Sequence, residues 1–187
     1  MIKTKKDLKF YVAQDKIAMG LQQKNKIFEY IKGNYYDFQI FSFIKKLRTF
    51  EYYTNNKKSL YGKLRFLIYK HYFNIIRRNK GIYIYPNVFG PGLHIVHYGY
   101  IWVDNSSIIG KNCTILPRVL LGKKQPGIPT PNIFIGDDCY IGTGTTILGP
   151  IKIGNNVTIA AGSVVTKDVP DNAIVAGVPA KIIKIKK

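Results

Sequence analysis

Three histidines, His71, His94 and His97, are the side chains of this sequence best suited to moving protons near neutral pH. Two of them share the stretch Gly-Leu-His-Ile-Val-His-Tyr-Gly from Gly92 to Gly99, and Tyr83, Tyr85, Tyr98 and Tyr100 crowd the same part of the chain. An imidazole beside a hydroxyl acceptor can act as general base, and aromatic rings with phenol groups suit an acceptor whose faces are apolar and edges polar. Metal chemistry has little to work with. Two cysteines, Cys113 and Cys139, and three scattered histidines make neither a disulfide framework nor a zinc site. His71 reads as a satisfied helix-face residue and His94 as a wall or support residue.

These residues stand at the start of a periodic region. From Val103 an aliphatic returns every six positions, through Ile109, Ile115 and Leu121, then Ile135, Ile141, Ile147, Ile153, Ile159 and Val165. With such residues at roughly a quarter of a chain, ten consecutive matches arise by chance on the order of once in a million. Four places after each aliphatic stands a small or branched residue, including Ser107, Cys113, Cys139, Thr145 and Ser163, and Gly is favoured one place after it. A six-residue unit has room only for one short strand and one corner, with Gly expected to supply corner dihedrals. Stacked turns must then share one continuous aliphatic core. The cysteines fall on the inward beat and read as core filler.

Carrying the frame back from Val103 puts His97 where an aliphatic belongs. An imidazole there needs a hydrogen-bond partner or a register break that turns it outward. On residue type alone a structural histidine is the simpler reading. Between Leu121 and Ile135 the spacing is fourteen rather than six, and the intervening Gly- and Pro-rich stretch predicts a protruding loop over about residues 122–134. Loops on a rigid scaffold are favoured places for function.

The repeats, Ala-Gly-Ser-Val-Val-Thr-Lys-Asp-Val-Pro at Ala161–Pro170 and Ala-Gly-Val-Pro-Ala-Lys at Ala176–Lys181 resemble those of the hexapeptide-repeat acyltransferases. Within that superfamily the run from Gly92 through Ala180 resembles serine acetyltransferases and the related sugar O-acetyltransferases. The resemblance implies a mainly β fold, a left-handed parallel β-helix over residues 81–187 behind an α-helical N-terminal region over 1–80. It implies acetyl-CoA as acyl donor, no metal, His97 as catalytic base, and the amide around Gly122 as oxyanion donor. Thr143, Ala161 and Gly162 are expected along the pantetheine arm, with Lys167 and Lys181 as candidates for its phosphates. His94, Tyr83, Tyr85, Tyr98 and Tyr100 are the candidate acceptor contacts.

Two departures bear on the acceptor. Serine acetyltransferases place an Asp some fifteen residues before the catalytic His, and the equivalents here are Ile82 or Tyr83; their second His, in the long loop, falls on Thr130 to Asn132. The expectation is therefore O-acetylation of a sugar hydroxyl in surface polysaccharide synthesis. Serine O-acetylation and a non-catalytic scaffold are the alternatives. A flat-faced coil needs a second wall over a long ligand, so a homotrimer, or a hexamer made of two, is expected.

Charge separates the two halves. The chain of 187 residues carries +19, with 19 Lys and Arg against 5 acids in residues 1–80 and 10 against 5 thereafter. Helices are expected from Thr4 with Asp7 as a capping pair, over Lys26–Ile31, over Tyr36–Tyr53, and from Ser59 to about Gly81. Leu60, Leu64, Leu67, Ile68, Tyr72, Ile75 and Ile76 share one side of the last helix. Apolar and aromatic faces packed as core, with lysines in water, is one reading of this half; contact with anionic lipid is the other, and nucleic acid is not expected without a recognisable motif. No apolar leader stretch follows the first charges and no segment is a membrane-span candidate, which predicts a cytoplasmic protein, or one peripheral on the inner face of the membrane.

Overall fold

The computed structural model describes residues 1–33, 35–125 and 133–186. Four helices come first: α1 (Lys5–Ala18), α2 (Lys26–Ile31), α3 (Tyr36–Asn55) and α4 (Leu60–Lys80). Their starts follow local chemistry. Thr4 and Asp7 form a reciprocal capping box on α1, Asn25 accepts from Ile27 and Phe28 amides on α2, and Ser59 accepts from the Gly62 amide on α4. Gly81, in the left-handed conformation, ends α4, and the first strand begins at the next residue.

From Ile82 onward the chain winds as a parallel coil with three faces. The first face carries β1 (Ile82–Ile84), β3 (Ile101–Val103), β6 (Val119–Lys123), β9 (Thr146–Gly149) and β12 (Val164–Val165). The second carries β4 (Ser107–Ile109), β7 (Ile133–Ile135) and β10 (Ile151–Ile153), and the third β2 (His94–Ile95), β5 (Thr114–Ile115), β8 (Tyr140–Ile141), β11 (Thr158–Ile159) and β13 (Ala173–Gly177). Finally β14 (Ala180–Ile185) turns back antiparallel on β13 and covers that face's end.

All ten aliphatics of the six-residue frame are buried, and so are the nine residues of the second beat, from Ser107 and Cys113 to Ser163 and Val169. Of the three polar residues on that second beat, two are satisfied locally: Thr145 Oγ1 donates to the Gly142 carbonyl and Ser163 Oγ to the Ala160 carbonyl, both at 2.7 Å, whereas the buried Ser107 Oγ has no hydrogen-bond partner among the described residues. The expected role of glycine needs correction. Gly110, Gly136 and Gly154 are needed for close approach, since a Cβ on any of them would lie within 2.6 to 2.8 Å of backbone in the next turn. The left-handed residues at that corner are Asn112, Asp138, Asn156 and Asn172, whose side chains pair between turns, as Asn112 Nδ2 does with Asp138 Oδ1 at 2.9 Å, while on the neighbouring edge Gly144 and Gly162 do take the left-handed conformation.

The helices join the coil through a buried charge cluster. Arg48 of α3 is fully buried; its guanidinium donates to both carboxylate oxygens of Asp15 at 2.8 and 3.0 Å, to Glu51 at 3.1 Å, and to the Phe89 and Gly90 carbonyls at 2.9 and 2.6 Å. Asp15 also accepts from the amides of Gly92 and Leu93, and Glu51 from that of Asn87. The paired carboxylates hold the Arg48 guanidinium charged well above its usual range despite its burial. Around this cluster α3 buries Phe38, Ile40, Phe43, Ile44, Leu47 and Phe50.

On α4 the packing differs from the simple amphipathic expectation. Its inward side is aromatic: Phe73 is buried between Phe43 and Phe50, Phe66 stacks on Phe50, and Tyr69 reaches the Lys46 carbonyl. Of the aliphatic side, Ile76 packs inward, whereas Leu60, Leu64, Leu67, Ile68, Tyr72 and Ile75 are exposed. Rings at Phe66 and Phe73, seven residues apart, occupy the helix–helix seam, so the aliphatics turn to the outside.

Candidate active site

His97 leaves the coil through a break in register. Ile101 pairs with Val119 and Val103 with Leu121, both 18 residues apart, but Ile95 pairs with Ile115, 20 apart. The two extra residues fall in the bend from Val96 to Tyr100, so Ile95 takes the core position and His97 points out, exposed. Gly99 makes the bend sterically feasible: its φ is 151°, and a Cβ there would lie 2.7 Å from the Pro117 Cβ one turn along.

The bend is braced by the helices. Tyr36, in the first turn of α3, accepts a hydrogen bond from the Tyr98 amide at 2.7 Å, and its ring sits 5.9 Å from that of His97 and 5.4 Å from that of Tyr98. Lys80 lies over the Tyr98 ring, 4.2 Å from its centroid. Burial pushes the Tyr98 phenol up to about 12. His94, on β2, is half-buried, and that burial holds its pKa below the ordinary value against the pull of the Asp37 carboxylate, with His97 pushing it further down. Asp37 pairs with Lys24 at 3.3 Å. Tyr36 and Asp37 were not candidates from the sequence; some sixty residues separate them from the histidines, and no spacing links them.

The candidate donor contacts divide between two edges of the coil. One edge, between the third face and the first, stacks the His97 bend, Pro117, Thr143 and Ala161–Gly162 in successive turns. Thr143 Oγ1 donates to the Pro117 carbonyl at 2.7 Å and the Gly162 amide to the Thr143 carbonyl at 2.8 Å. Thr143, Ala161 and Gly162 are exposed, and nothing lies within 4 Å of where a Gly162 Cβ would stand, so the edge is a smooth, open track. Lys181, exposed on β14 opposite Ala176, stands just past the hairpin that ends this track. A thin, flexible arm ending in phosphates fits that arrangement of small residues and a terminal ammonium.

The other edge, between the first face and the second, carries Gly122, at the end of β6, and Lys167. Gly122 lies at the far end of β6 from the corner at Pro117, three strand residues or about 10 Å beyond Val119 at roughly 3.3 Å per residue. One chain therefore does not bring Gly122 or Lys167 to His97. Residues 126–132 of the expected loop, with Thr130 to Asn132, lie outside the described residues.

Of the tyrosines, Tyr98 flanks His97 and Tyr100 follows it, exposed. Tyr83 stands beside Trp102 on the first face, with rings 5.3 Å apart, and Arg77 of α4 lies over both Tyr83 and Tyr85. These two pack beneath the end of α4 instead of lining the His97 bend. Ile82 is buried, so neither residue at the position of the family Asp offers a carboxylate. Burial raises the pKa of both cysteine thiols, and among the described residues no cluster could hold a metal ion.

Comparison with known proteins agrees with this fold. Residues 132–167 match the family described as bacterial transferase hexapeptide (six repeats). Serine acetyltransferase 4 of Arabidopsis thaliana is 43% identical over 106 residues, 55% of this chain and 29% of that protein. A Neisseria gonorrhoeae serine acetyltransferase solved in complex with serine superposes with a TM-score of 0.71 at 30% identity, covering 96% of this chain and 70% of that one. A Brucella abortus serine acetyltransferase in complex with coenzyme A gives a TM-score of 0.75 at 27% identity, over 98% and 70%. The fold class is thus the left-handed parallel β-helix behind a helical N-terminal region. Within it, the chain belongs to the hexapeptide-repeat acyltransferases, on the serine acetyltransferase-like branch. It spans well under two thirds of the curated relatives it matches, 29% of the Arabidopsis protein and 58% of one from Bacillus licheniformis.

Proposed function

We propose that the protein is an acetyl-CoA-dependent O-acetyltransferase with His97 as general base. The observation that carries this reading is the register break that turns His97 out at the head of the open edge formed by Thr143, Ala161 and Gly162. In the reaction His97 takes the acceptor hydroxyl proton as the oxygen attacks the thioester carbonyl. The Gly122 amide of a neighbouring subunit donates to the developing oxyanion, and protonated His97 returns the proton to the departing thiolate. Tyr36 and Lys80 hold the bend; Lys181 binds phosphate at the far end of the track.

The placement of His97 and Gly122 on different edges of one chain supports a homotrimer with sites shared between neighbours. In such a trimer the two edges meet, and Lys167 joins the same site.

Serine is the acceptor that the relatives support, in place of the polysaccharide hydroxyl expected from the sequence. The sugar reading keeps one specific observation: the position of the family Asp is filled by Ile82 or Tyr83, and no second loop histidine is present in the sequence. Thiol release from acetyl-CoA, followed with serine and with a panel of sugars, separates the two. Turnover with serine upholds the first reading and turnover with sugars alone the second; thioester left intact with every acceptor makes the protein a scaffold. His97→Ala should lower turnover by roughly 2 to 4 orders of magnitude while coenzyme A affinity holds. Unchanged turnover in that variant would remove His97 from the mechanism.

A further inference from the structure

The outer face of α4 has no partner among the described residues, and its chemistry is specific. Leu60, Leu64, Leu67, Ile68 and Ile75 recur at helical spacing along one stripe, with Tyr72 at its margin; Leu60 is 85% exposed, Ile68 64% and Leu67 58%. The helix does not need a further layer to fold, because Phe66, Tyr69, Phe73 and Ile76 already dock it on α3 and the coil. At 21 residues it is about 31 Å long, and among the described residues no helix is long and apolar enough to cross a membrane.

Charge decides what can cover such a stripe. Between Lys57 and Lys80 the sequence has eight Lys and Arg and no Asp or Glu; the nearest acids are Glu51 and Asp104. Lys63 and Lys70 border the stripe on one flank and Arg65 on the other, while His71 and Arg78 lie within it. A second copy meeting this face by two-fold symmetry would bring two all-basic surfaces together. Nucleic acid would neutralise the lysines and leave the leucines in water. A surface that is apolar within and negative at its boundary satisfies both, and that is the anionic phospholipid bilayer of the cytoplasmic leaflet.

We propose that α4 lies in the plane of an anionic phospholipid surface, its Leu60–Ile75 stripe among the acyl chains and its lysines at the headgroups. Docking of this kind would hold the acetyl-transfer site at the membrane, next to any acceptor carried on lipid. The proposal rests on the α4 face alone and not on the identity of the reaction.

The test is cosedimentation of the full chain with vesicles of phosphatidylcholine alone and with 30% phosphatidylglycerol, at about 0.1 M and 0.5 M salt. Binding is expected to the anionic vesicles at the lower salt and to fall steeply at the higher. Lys63→Glu with Lys70→Glu should weaken it about 25-fold or more, at roughly fivefold per basic residue removed. Leu64→Glu with Ile68→Glu, on exposed positions that leave the fold intact by circular dichroism, should weaken it at least about tenfold. Three outcomes overturn the proposal: no binding to anionic vesicles at low salt, binding untouched by the Leu64 and Ile68 changes, or a change in mass by light scattering of those variants, which would assign the stripe to a second copy.

Discussion

The coil and its junction with the helices are built on opposite principles. The coil is redundant: each turn buries the same few aliphatics against the same aliphatics above and below, so no single residue defines it. The junction is singular. Arg48, Asp15 and Glu51 form one buried charge cluster, joined to the backbone of residues 87–93, and the proposed base follows four residues later. The lesson is that stability has been assigned to repetition, and alignment of the His97 bend to a few unrepeatable contacts.

The sharpest way to break that contrast is Arg48→Ala, which leaves Asp15 and Glu51 buried without their cation and should cost about 3 to 5 kcal/mol. In urea, the helical circular dichroism signal should be lost before the fluorescence of Trp102, the single tryptophan, which reports on the coil. Coincident loss of both signals would mean that junction and coil unfold as one body. Next in size is Ile141→Ala in β8, fully buried between Ile115 and Ile159, at about 2 to 4 kcal/mol. Here the two signals should move together, because the damage lies in the shared column.

Smaller effects separate bracing from stability. Tyr36→Phe keeps the ring but removes the acceptor of the Tyr98 amide bond. It should lower kcat about fivefold, from a loss near 1 kcal/mol, without changing KM for acetyl-CoA. A matching rise in KM would assign Tyr36 to donor binding instead. Smallest is the response of His94, whose burial favours the neutral ring. Its stabilising contribution is complete above the ordinary value of 6.5 and is lost as pH falls from there through its lowered folded value. Denaturation midpoints between pH 7.5 and 5 should therefore decline less in His94→Gln than in the parent, and equal declines would show that other groups carry the effect.

Sequence made the coil legible because its signal is local and repeated: the frame and the inward second beat need only counting. Helix starts were legible at Thr4 and Ser59 for the same reason, since a cap acts within three residues. The junction was not. Asp15 and Arg48 lie 33 residues apart in unrelated helices, and nothing in either helix marks them as buried. Periodicity identified the aliphatic side of α4 but not its direction, because the rings of Phe66 and Phe73 filled the seam with α3. At the site, the oddity of His97 was visible as a frame violation, whereas Tyr36 could be found only once helix and bend were seen together.

The open edge also works as a ruler. Successive turns of the coil rise by about 4.8 Å, so the four steps from the His97 bend to the hairpin before Lys181 measure about 19 Å. Turns in between are interchangeable, and adding or deleting one changes that length by one graduation without disturbing either end. The first turn cannot be copied in this way, because its two extra residues are what set the zero of the scale. A lineage could therefore adjust the reach between the proposed base and the proposed phosphate anchor in whole turns while the His97 bend stays where it is.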